Sequence, residues 1–544
     1  MRGHAPPGAG RTDTLFCVVR IRNRPADPAG QAEAGAAPGP ARTRRRPWWV
    51  WAVPFAVLFT TLTVRNRFVF AVPHHERGDS AANSILIQQA MHFTLLVGNY
   101  SRQGFHHPGP AYMYVQAFGQ WLFYYGLHVV PTAWNSHMLA IFILSSATMA
   151  LAVLVVYGWT GSLRGAAACL AVILIFAIVH PQPVNSDWMP DMYVPAYCVF
   201  VIAAASVAAG RTRDAWILAL TGWFLIHGQA CFLFFVPLII LAVLAAQVWA
   251  HRRTPIASLR RFFGRQRGVW IPVLAISALF ALPIIVNLSL HWPGDFANYF
   301  AYGNSQQAGG HSAAQVAHFA LWFWWPHANA WLAPVLLTSA AVAVTFGLAR
   351  GPLRRFFLAL LIIDVVSTVA LCVYAAVGVD FLSEYYIGYF YWSAPLVPLL
   401  IIVAGVAQAL GPRIGTALAA AGAVAALVVL ALVPALLTST HRTGPGLPQA
   451  VTRLAALAHG RTIVLTIDHG AWGDTAGFLV QAERAHVRAC VDQPWWTFMM
   501  TTQFICTPNE AASGARFWLD TTTPPPSAPV LFTFDGTDVA ARAR

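Results

Sequence analysis

Charged side chains are scarce in this sequence. Only 10% of its 544 residues are Asp, Glu, Lys or Arg, whereas 57% are hydrophobic. A soluble core cannot bury so large an apolar fraction, and the apolar residues occur in runs of about 20, the length that crosses a bilayer. The composition therefore excludes an ordinary soluble protein and predicts an integral membrane protein.

Lysine is absent, so all 34 basic residues are arginine, which we attribute to the codon bias of a high-GC genome. The formal net charge of +14 is concentrated in predicted loops and tails, as membrane topology requires. No nucleic-acid-reading module accompanies the arginine clusters, so nucleic-acid binding is not expected. A Gly-rich phosphate loop and zinc-ligand spacing are also missing, which argues against the use of soluble nucleotide sugars.

The apolar segments predict an all-α polytopic membrane bundle of about eleven transmembrane helices within residues 47–436. Residues 1–46 are rich in Ala, Gly, Pro and Arg and predict a disordered cytoplasmic tail. The first span is too long for a signal peptide and lacks the small-residue cleavage site that a signal peptide carries. We place the spans at residues 48–72, 137–157, 166–182, 192–210, 214–229, 231–249, 269–290, 331–349, 356–378, 391–410 and 415–436.

Arginine in the connections sets the orientation. The cluster within residues 42–46 precedes the first span, and every even-numbered connection contains Arg, so these parts are predicted to be cytoplasmic. The opposite loops, including 73–136, are then outside the cell membrane. The orientation depends on residues 214–249 forming two short spans that are divided at His227-Gly228-Gln229. If they were one long span, everything after them would be inverted.

Residues 437–544 have the composition of a soluble domain, and with eleven spans this domain is extracytoplasmic. Segments 461–468 and 529–535 are predicted strands and 474–486 a predicted helix, which together indicate a small α/β domain. Cys490 and Cys506 can pair there in an oxidising compartment. The cysteines at positions 169, 198, 231 and 372 fall within spans and are predicted to be packing residues.

The first outer loop contains an unusual concentration of ionisable residues, between His74 and Tyr114. They are Glu76, Arg77, Asp79, Arg102, His106 and His107. In a membrane protein with so few charges, each must reach water, a partner or a substrate, and we therefore expect an active site here. Asp79 begins a helical stretch, so it is predicted to cap that helix, to act in catalysis, or both.

This loop resembles that of GT-C membrane glycosyltransferases, in particular the lipid-A aminoarabinose transferases and protein mannosyltransferases. Asp79 matches the acidic residue of the first outer loop in that family. His107-Pro108-Gly109-Pro110 stands where a Lys-Pro-Pro segment is expected. The sequence departs from the family pattern in that Ser80, not a second acidic residue, follows Asp79, and in that the basic residue is His.

The resemblance implies a polyprenyl-phosphate-linked sugar donor, membrane lipids as surroundings, and a cell-envelope glycan, lipid or protein as acceptor. Asp79 is then the expected general base for an inverting transfer. Residues expected to contact the donor are Arg102, His106, His107, Glu384, Tyr385 and Tyr386. The need for a cofactor is left open, with a divalent cation at Asp187 and Asp191 as one possibility; Asp191 can equally cap a helix.

Two other classes of protein remain open at this point. A polytopic transporter or lipid flippase also fits many spans and an interrupted helix at His227, although Asp364 is the only carboxylate that we place deep inside a span. A polymerase or ligase of surface glycans would use similar donors on a different fold. A glycosyltransferase of the cell membrane with its site on the outer face is the function that the sequence favours.

Overall fold

The computed structural model describes residues 46–250, 267–305, 310–324, 331–432, 444–521 and 529–541. The predicted tail up to residue 45 lies outside these ranges, as do Arg252 to Arg265 of the arginine-rich connection before the predicted span 269–290. Residues from Pro47 onward form one compact unit. Within the described part before residue 433, the α-helices are α1 Trp49–Arg65, α2 Gly78–Met91, α3 Ala111–Gly119, α4 Ala133–Thr160, α5 Leu163–Val179, α6 Met189–Ala208, α7 Ala215–Gly228, α8 Phe232–Ala250, α9 Arg267–His291, α10 Asp295–Gly303, α11 Ala313–Trp322, α12 Leu332–Gly347, α13 Gly351–Val377, α14 Ser393–Ala409 and α15 Pro412–Leu432.

A helix occupies each of the eleven positions predicted for a span. Six of the described helical segments are long and apolar enough to cross a membrane, with mean hydropathy of 1.6 to 2.7 over their spanning windows. Three more, α1, α5 and α12, are shorter apolar helices. The prediction of a polytopic helical membrane bundle is therefore confirmed.

Local signals in the sequence explain where several helices begin and end. The side chain of Thr132 accepts a hydrogen bond from the Asn135 N–H at the start of α4, and Gly161 ends that helix in the left-handed conformation. Ser162 caps α5 in the same way. The predicted hairpin at 214–249 is also present, because α7 and α8 are separate helices joined by a turn at 229–231.

Helix α6 is central to the bundle. Of its most apolar window, 94% is buried inside the protein, and it packs against α4, α7, α13 and the 3₁₀ helix Tyr385–Trp392. Its amino-terminal end carries Trp188 and Asp191 to the side of the bundle on which the first loop lies. The same buried helix therefore forms the core of the bundle and positions residues of the candidate site.

The C-terminal domain contains a mixed sheet of five strands, as an α/β domain requires. The strands are β1 Ile463–Ile467, β2 Ala489–Val491, β3 Ala515–Asp520, β4 Val530–Phe534 and β5 Thr537–Ala541, in the order β2-β1-β3-β5-β4. The pairs β1–β2 and β1–β3 are parallel, whereas β3–β5 and β4–β5 are antiparallel. The helices are α16 Leu447–Ala458, α17 Trp472–Arg484, α18 Thr497–Met500 and α19 Pro508–Ser513.

The structure confirms the pairing of two cysteines in the C-terminal domain and corrects the start of the helix that carries Asp79. Cys490 and Cys506 form a disulfide, which links β2 to the segment after α18. The expectation that Asp79 is the capping residue of its helix is wrong: Arg77 occupies that position, and Asp79 lies in the first turn. The helix begins at Gly78, whose φ of +58° is readily adopted by glycine, so the capping position falls two residues before Asp79.

Candidate active site

A cavity of about 430 Å³ lies where the first loop meets the ends of several helices. Asp79, Arg102, His107 and Tyr386, which were singled out from the sequence, are among its lining residues. Segments around residues 188–190, 229–231, 299–303 and 378–380 complete its wall. The connections that the sequence placed on one side of the membrane thus surround one cavity.

The Asp79 carboxylate is half-buried and held by two neutral donors. The Tyr100 hydroxyl donates a hydrogen bond to Oδ1, and the Trp188 indole Nε1–H donates to Oδ2 at 2.7 Å. Burial, together with the negative charge of Asp79, raises the pKa of Tyr100 well above its usual value, so this phenol stays a donor at neutral pH. Each carboxylate oxygen can accept a further hydrogen bond, which leaves Asp79 able to receive a proton from a substrate.

Arg102 provides positive charge on the same cavity wall. Its Nη2 lies 2.6 Å from Asp380 Oδ1 and its Nη1 lies 3.9 Å from Glu384 Oε1. Gln103 donates to the other Asp380 oxygen at 2.9 Å, and the guanidinium also lies over the Tyr386 ring, 5.9 Å from its centroid. With 35% of its side chain exposed, the Arg102 guanidinium can contact an anion in the cavity.

His106 and His107 are both in surroundings that disfavour the protonated, cationic imidazole. His107 Nδ1 accepts the backbone N–H of Ala230 at 3.2 Å, and burial lowers its pKa to about 3. A neutral imidazole can donate one hydrogen bond to a phosphate but supplies no positive charge. Burial also lowers the pKa of His106, although Asp295 opposes this effect from 3.8 Å away.

The residues predicted from the last outer loop separate into two groups. Tyr386 lines the cavity, and its ring packs on Trp188 at a centroid distance of 5.1 Å. Tyr385 instead stacks on Trp322 at 4.3 Å, while 43% of Glu384 is exposed. The part played by each of these residues in donor binding stays a prediction.

Asp187 and Asp191 flank the lining segment Trp188-Met189-Pro190 and are both buried. One Asp187 oxygen accepts the Trp134 indole N–H at 2.8 Å. Within the described ranges, no group of three or more His, Cys, Asp or Glu side chains is arranged to hold a metal ion. A metal-binding role of Asp187 and Asp191 stays a prediction.

Sequence reasoning missed Tyr100 and Trp188, the two side chains that fix the candidate base. Aromatic residues in the outer loops of a membrane protein are most often interfacial, so their type gave no signal. The useful clue was position: Tyr100 lies in the polar turn before His107, and Trp188 stands between two acidic residues.

Comparison with known proteins identifies the fold. No protein-family model and no curated protein sequence matches the chain. Among solved structures, it is similar to ArnT from Cupriavidus metallidurans, whose crystal structure was determined with undecaprenyl phosphate bound, with a TM-score of 0.55 and 14% identity. The match covers 91% of this chain and 98% of the ArnT chain, so the likeness extends over the bundle and the C-terminal domain. The chain thus shares the fold of that ArnT structure over nearly its whole length.

Proposed function

We propose that this protein is a membrane glycosyltransferase that moves a sugar from a polyprenyl-phosphate donor to a cell-envelope glycan, lipid or protein. The observation that carries the proposal is that Asp79 and Arg102 line one cavity, in a chain with the fold of an enzyme that binds undecaprenyl phosphate. A carboxylate and a guanidinium in one cavity are the two groups that such a transfer needs.

In the proposed reaction, Asp79 accepts the proton of the acceptor hydroxyl while that oxygen attacks the anomeric carbon of the donor sugar. The bond between this carbon and the phosphate oxygen breaks, and its electron pair leaves with the polyprenyl phosphate, so the configuration inverts. Tyr100 and Trp188 hold the base in one orientation. Arg102 stabilises the charge of the departing phosphate, exchanging part of its contact with Asp380 for the ligand.

We further propose that the cavity faces the outside of the cell membrane. Two features support this orientation. The connections on the other side of the bundle carry arginine, for example Arg164, Arg211 and Arg413. The Cys490–Cys506 disulfide belongs to a domain that packs against the first loop, and disulfides persist in oxidising compartments.

Replacing Asp79 with Asn tests the role of the base. We expect transfer from a radiolabelled membrane lipid to fall by at least about 100-fold, because a positioned general base contributes on this order. The matched control is Asp538→Asn in β5, whose carboxylate is away from the cavity and accepts a hydrogen bond from Thr533. This control is expected to retain activity.

The assay should also follow free polyprenyl phosphate. A glycosyltransferase releases it in proportion to product when donor and acceptor are both present, whereas a transporter or flippase releases none. Retained transfer in the Asp79→Asn variant would remove the assigned base, and the absence of released carrier in the wild type would favour transport.

A further inference from the structure

A buried ion pair joins the segment before α2 to the C-terminal domain. Glu76 is fully buried, and its carboxylate receives two hydrogen bonds from Arg484 of α17, at 2.6 and 3.1 Å. The Ser84 hydroxyl donates a third, at 2.7 Å. A buried carboxylate with these partners is rigid, because losing one donor would leave its charge uncompensated.

Other contacts fix the same end of α2 to the domain. Arg77 forms an ion pair with Asp474, and the Gly444 N–H donates to the His75 carbonyl at 2.8 Å. Gly473 packs so closely that an added Cβ would lie 3.2 Å from the Gly78 Cα. Farther along α2, Ala81 and Ile85 belong to the hydrophobic core of the C-terminal domain.

The domain also contacts Tyr100, the residue that donates to Asp79. The Tyr100 ring meets the rings of Trp472 and Phe498 edge to face, with centroids 6.3 and 6.1 Å apart. Both the helix that carries Asp79 and the phenol that orients it are therefore in contact with the same domain.

From these contacts we propose that the C-terminal domain positions the general base, with Arg484 and Glu76 as positioning residues for the glycosyl transfer. The inference rests on the proposed function of Asp79. Arg484 reaches Asp79 only through Glu76 and the first turn of α2, so it touches no reacting atom. A shift of α2 against the cavity would move the Asp79 carboxylate away from the acceptor hydroxyl while leaving Arg102 in place.

The proposal predicts a loss of turnover without a loss of donor binding. For Arg484→Gln we expect kcat to fall by about tenfold to 100-fold, since a displaced catalytic group costs on this order, while KM for the donor stays within about twofold. Arg484→Lys, which keeps the charge, should recover part of the lost kcat.

The matched control is Arg488→Gln. Arg488 lies four residues after Arg484 and forms an ion pair of similar length within the domain, 2.7 Å to Glu510 compared with 2.6 Å for Arg484 and Glu76. This pair does not reach the first loop, so we expect unchanged kinetics. Comparing the two Arg→Gln variants separates the effect of the domain contact from a general effect of losing an ion pair.

A second variant tests the same idea without changing charge and covers the case in which Arg484→Gln does not fold. In Gly473→Leu a larger side chain enters the space beside Gly78, whose backbone would lie 3.2 to 3.3 Å from the new Cβ. We expect a similar fall in kcat. Hydrogen exchange of the amides in residues 78–91 should be faster in both variants than in Arg488→Gln.

The outcomes are distinguishable. If wild-type protein transfers sugar and Asp79→Asn does not, but Arg484→Gln and Gly473→Leu match Arg488→Gln in kcat and in exchange, the domain does not position the base. A rise in donor KM at constant kcat would also overturn the proposal. If the wild type transfers no sugar, or Asp79→Asn remains active, it is the proposed function that fails.

Discussion

The two ends of the first loop are held in different ways. The acidic end, at Glu76 and Arg77, is attached to the C-terminal domain by ion pairs. The basic end, at His107 to Pro110, is attached to the turn between α7 and α8 by uncharged hydrogen bonds. There Ala230 N–H donates to His107 Nδ1 at 3.2 Å, and Gly109 N–H donates to the His227 carbonyl at 3.2 Å.

This difference follows from the surroundings of each end. The C-terminal domain supplies a charged partner for Glu76 and another for Arg77, so the charges at the acidic end are compensated even though Glu76 is fully buried. The α7–α8 turn lies beside His107 and His227, which are both buried; an unpaired charge would be costly there, and burial keeps His107 neutral by lowering its pKa. The attachment of the acidic end should therefore be sensitive to pH and to the loss of a charge. The attachment of the basic end should be sensitive to changes in side-chain size.

The largest effect that we expect is at the uncharged end, in Gly109→Ala. A Cβ at this position would lie 2.3 Å from His227 Nδ1, so the loop or the imidazole must move. This close approach also gives a physical reason for Gly between the two prolines. We expect loss of most transfer activity. The free energy of unfolding of the purified protein should fall by on the order of 2 kcal/mol, which a lower Tm would reveal.

Removing the imidazole tests whether that contact is the cause. In a double-mutant cycle with His227→Ala, the Gly109→Ala change should cost less than in the wild-type background, because the space is then open. Strictly additive effects, or a Gly109→Ala protein that behaves as wild type, would contradict a shape-determined attachment.

A smaller effect is expected on the donor KM when Arg102 and His107 are replaced in turn. Arg102→Gln should raise the donor KM by roughly tenfold or more, because a hydrogen bond to a charged group contributes about 1.5 to 3 kcal/mol. His107→Asn keeps an acceptor for the Ala230 N–H and removes no charge at neutral pH, so its donor KM should change by less than about threefold.

Kinetics at several salt concentrations make this comparison sharper. The donor KM of wild type and of His107→Asn should rise with salt, whereas that of Arg102→Gln should rise less, since the phosphate has lost its cation. A larger KM effect in His107→Asn than in Arg102→Gln would return the cationic role to the histidine.

The sequence allowed the bundle, the α7–α8 hairpin and the loop around Asp79 to be predicted, because each leaves a local mark. Apolar runs of span length, alternating arginine-rich connections and a cluster of ionisable residues can all be found in short windows. The C-terminal α/β domain was predictable for the same reason, from strand and helix patterns.

The partners of these residues could not be predicted. Glu76 and Arg484 are separated by 408 positions, and Asp79 and Trp188 by 109; no periodicity relates such pairs. The neutral state of His107 was also hidden, since it depends on burial against a turn more than 100 residues away. The sequence showed which ionisable residues the first loop contains, but the residues that they contact could be identified only from the folded structure.

The smallest expected effect is the pH response of the charged end. Burial alone would raise the pKa of Glu76, but the Arg484 guanidinium outweighs it and lowers this pKa from an ordinary 4.5 to about 2. A depressed carboxyl pKa contributes stability that is present above pH 4.5 and is lost as the pH falls toward 2, because the unfolded chain binds the proton first. Between pH 7 and pH 4 the loss should be about 1 kcal/mol. The free energy of unfolding of the purified wild type should therefore fall over this interval by about 1 kcal/mol more than that of Glu76→Gln, whose amide does not titrate. Parallel pH profiles for the two proteins would show that the acidic end is held by packing rather than by its charge.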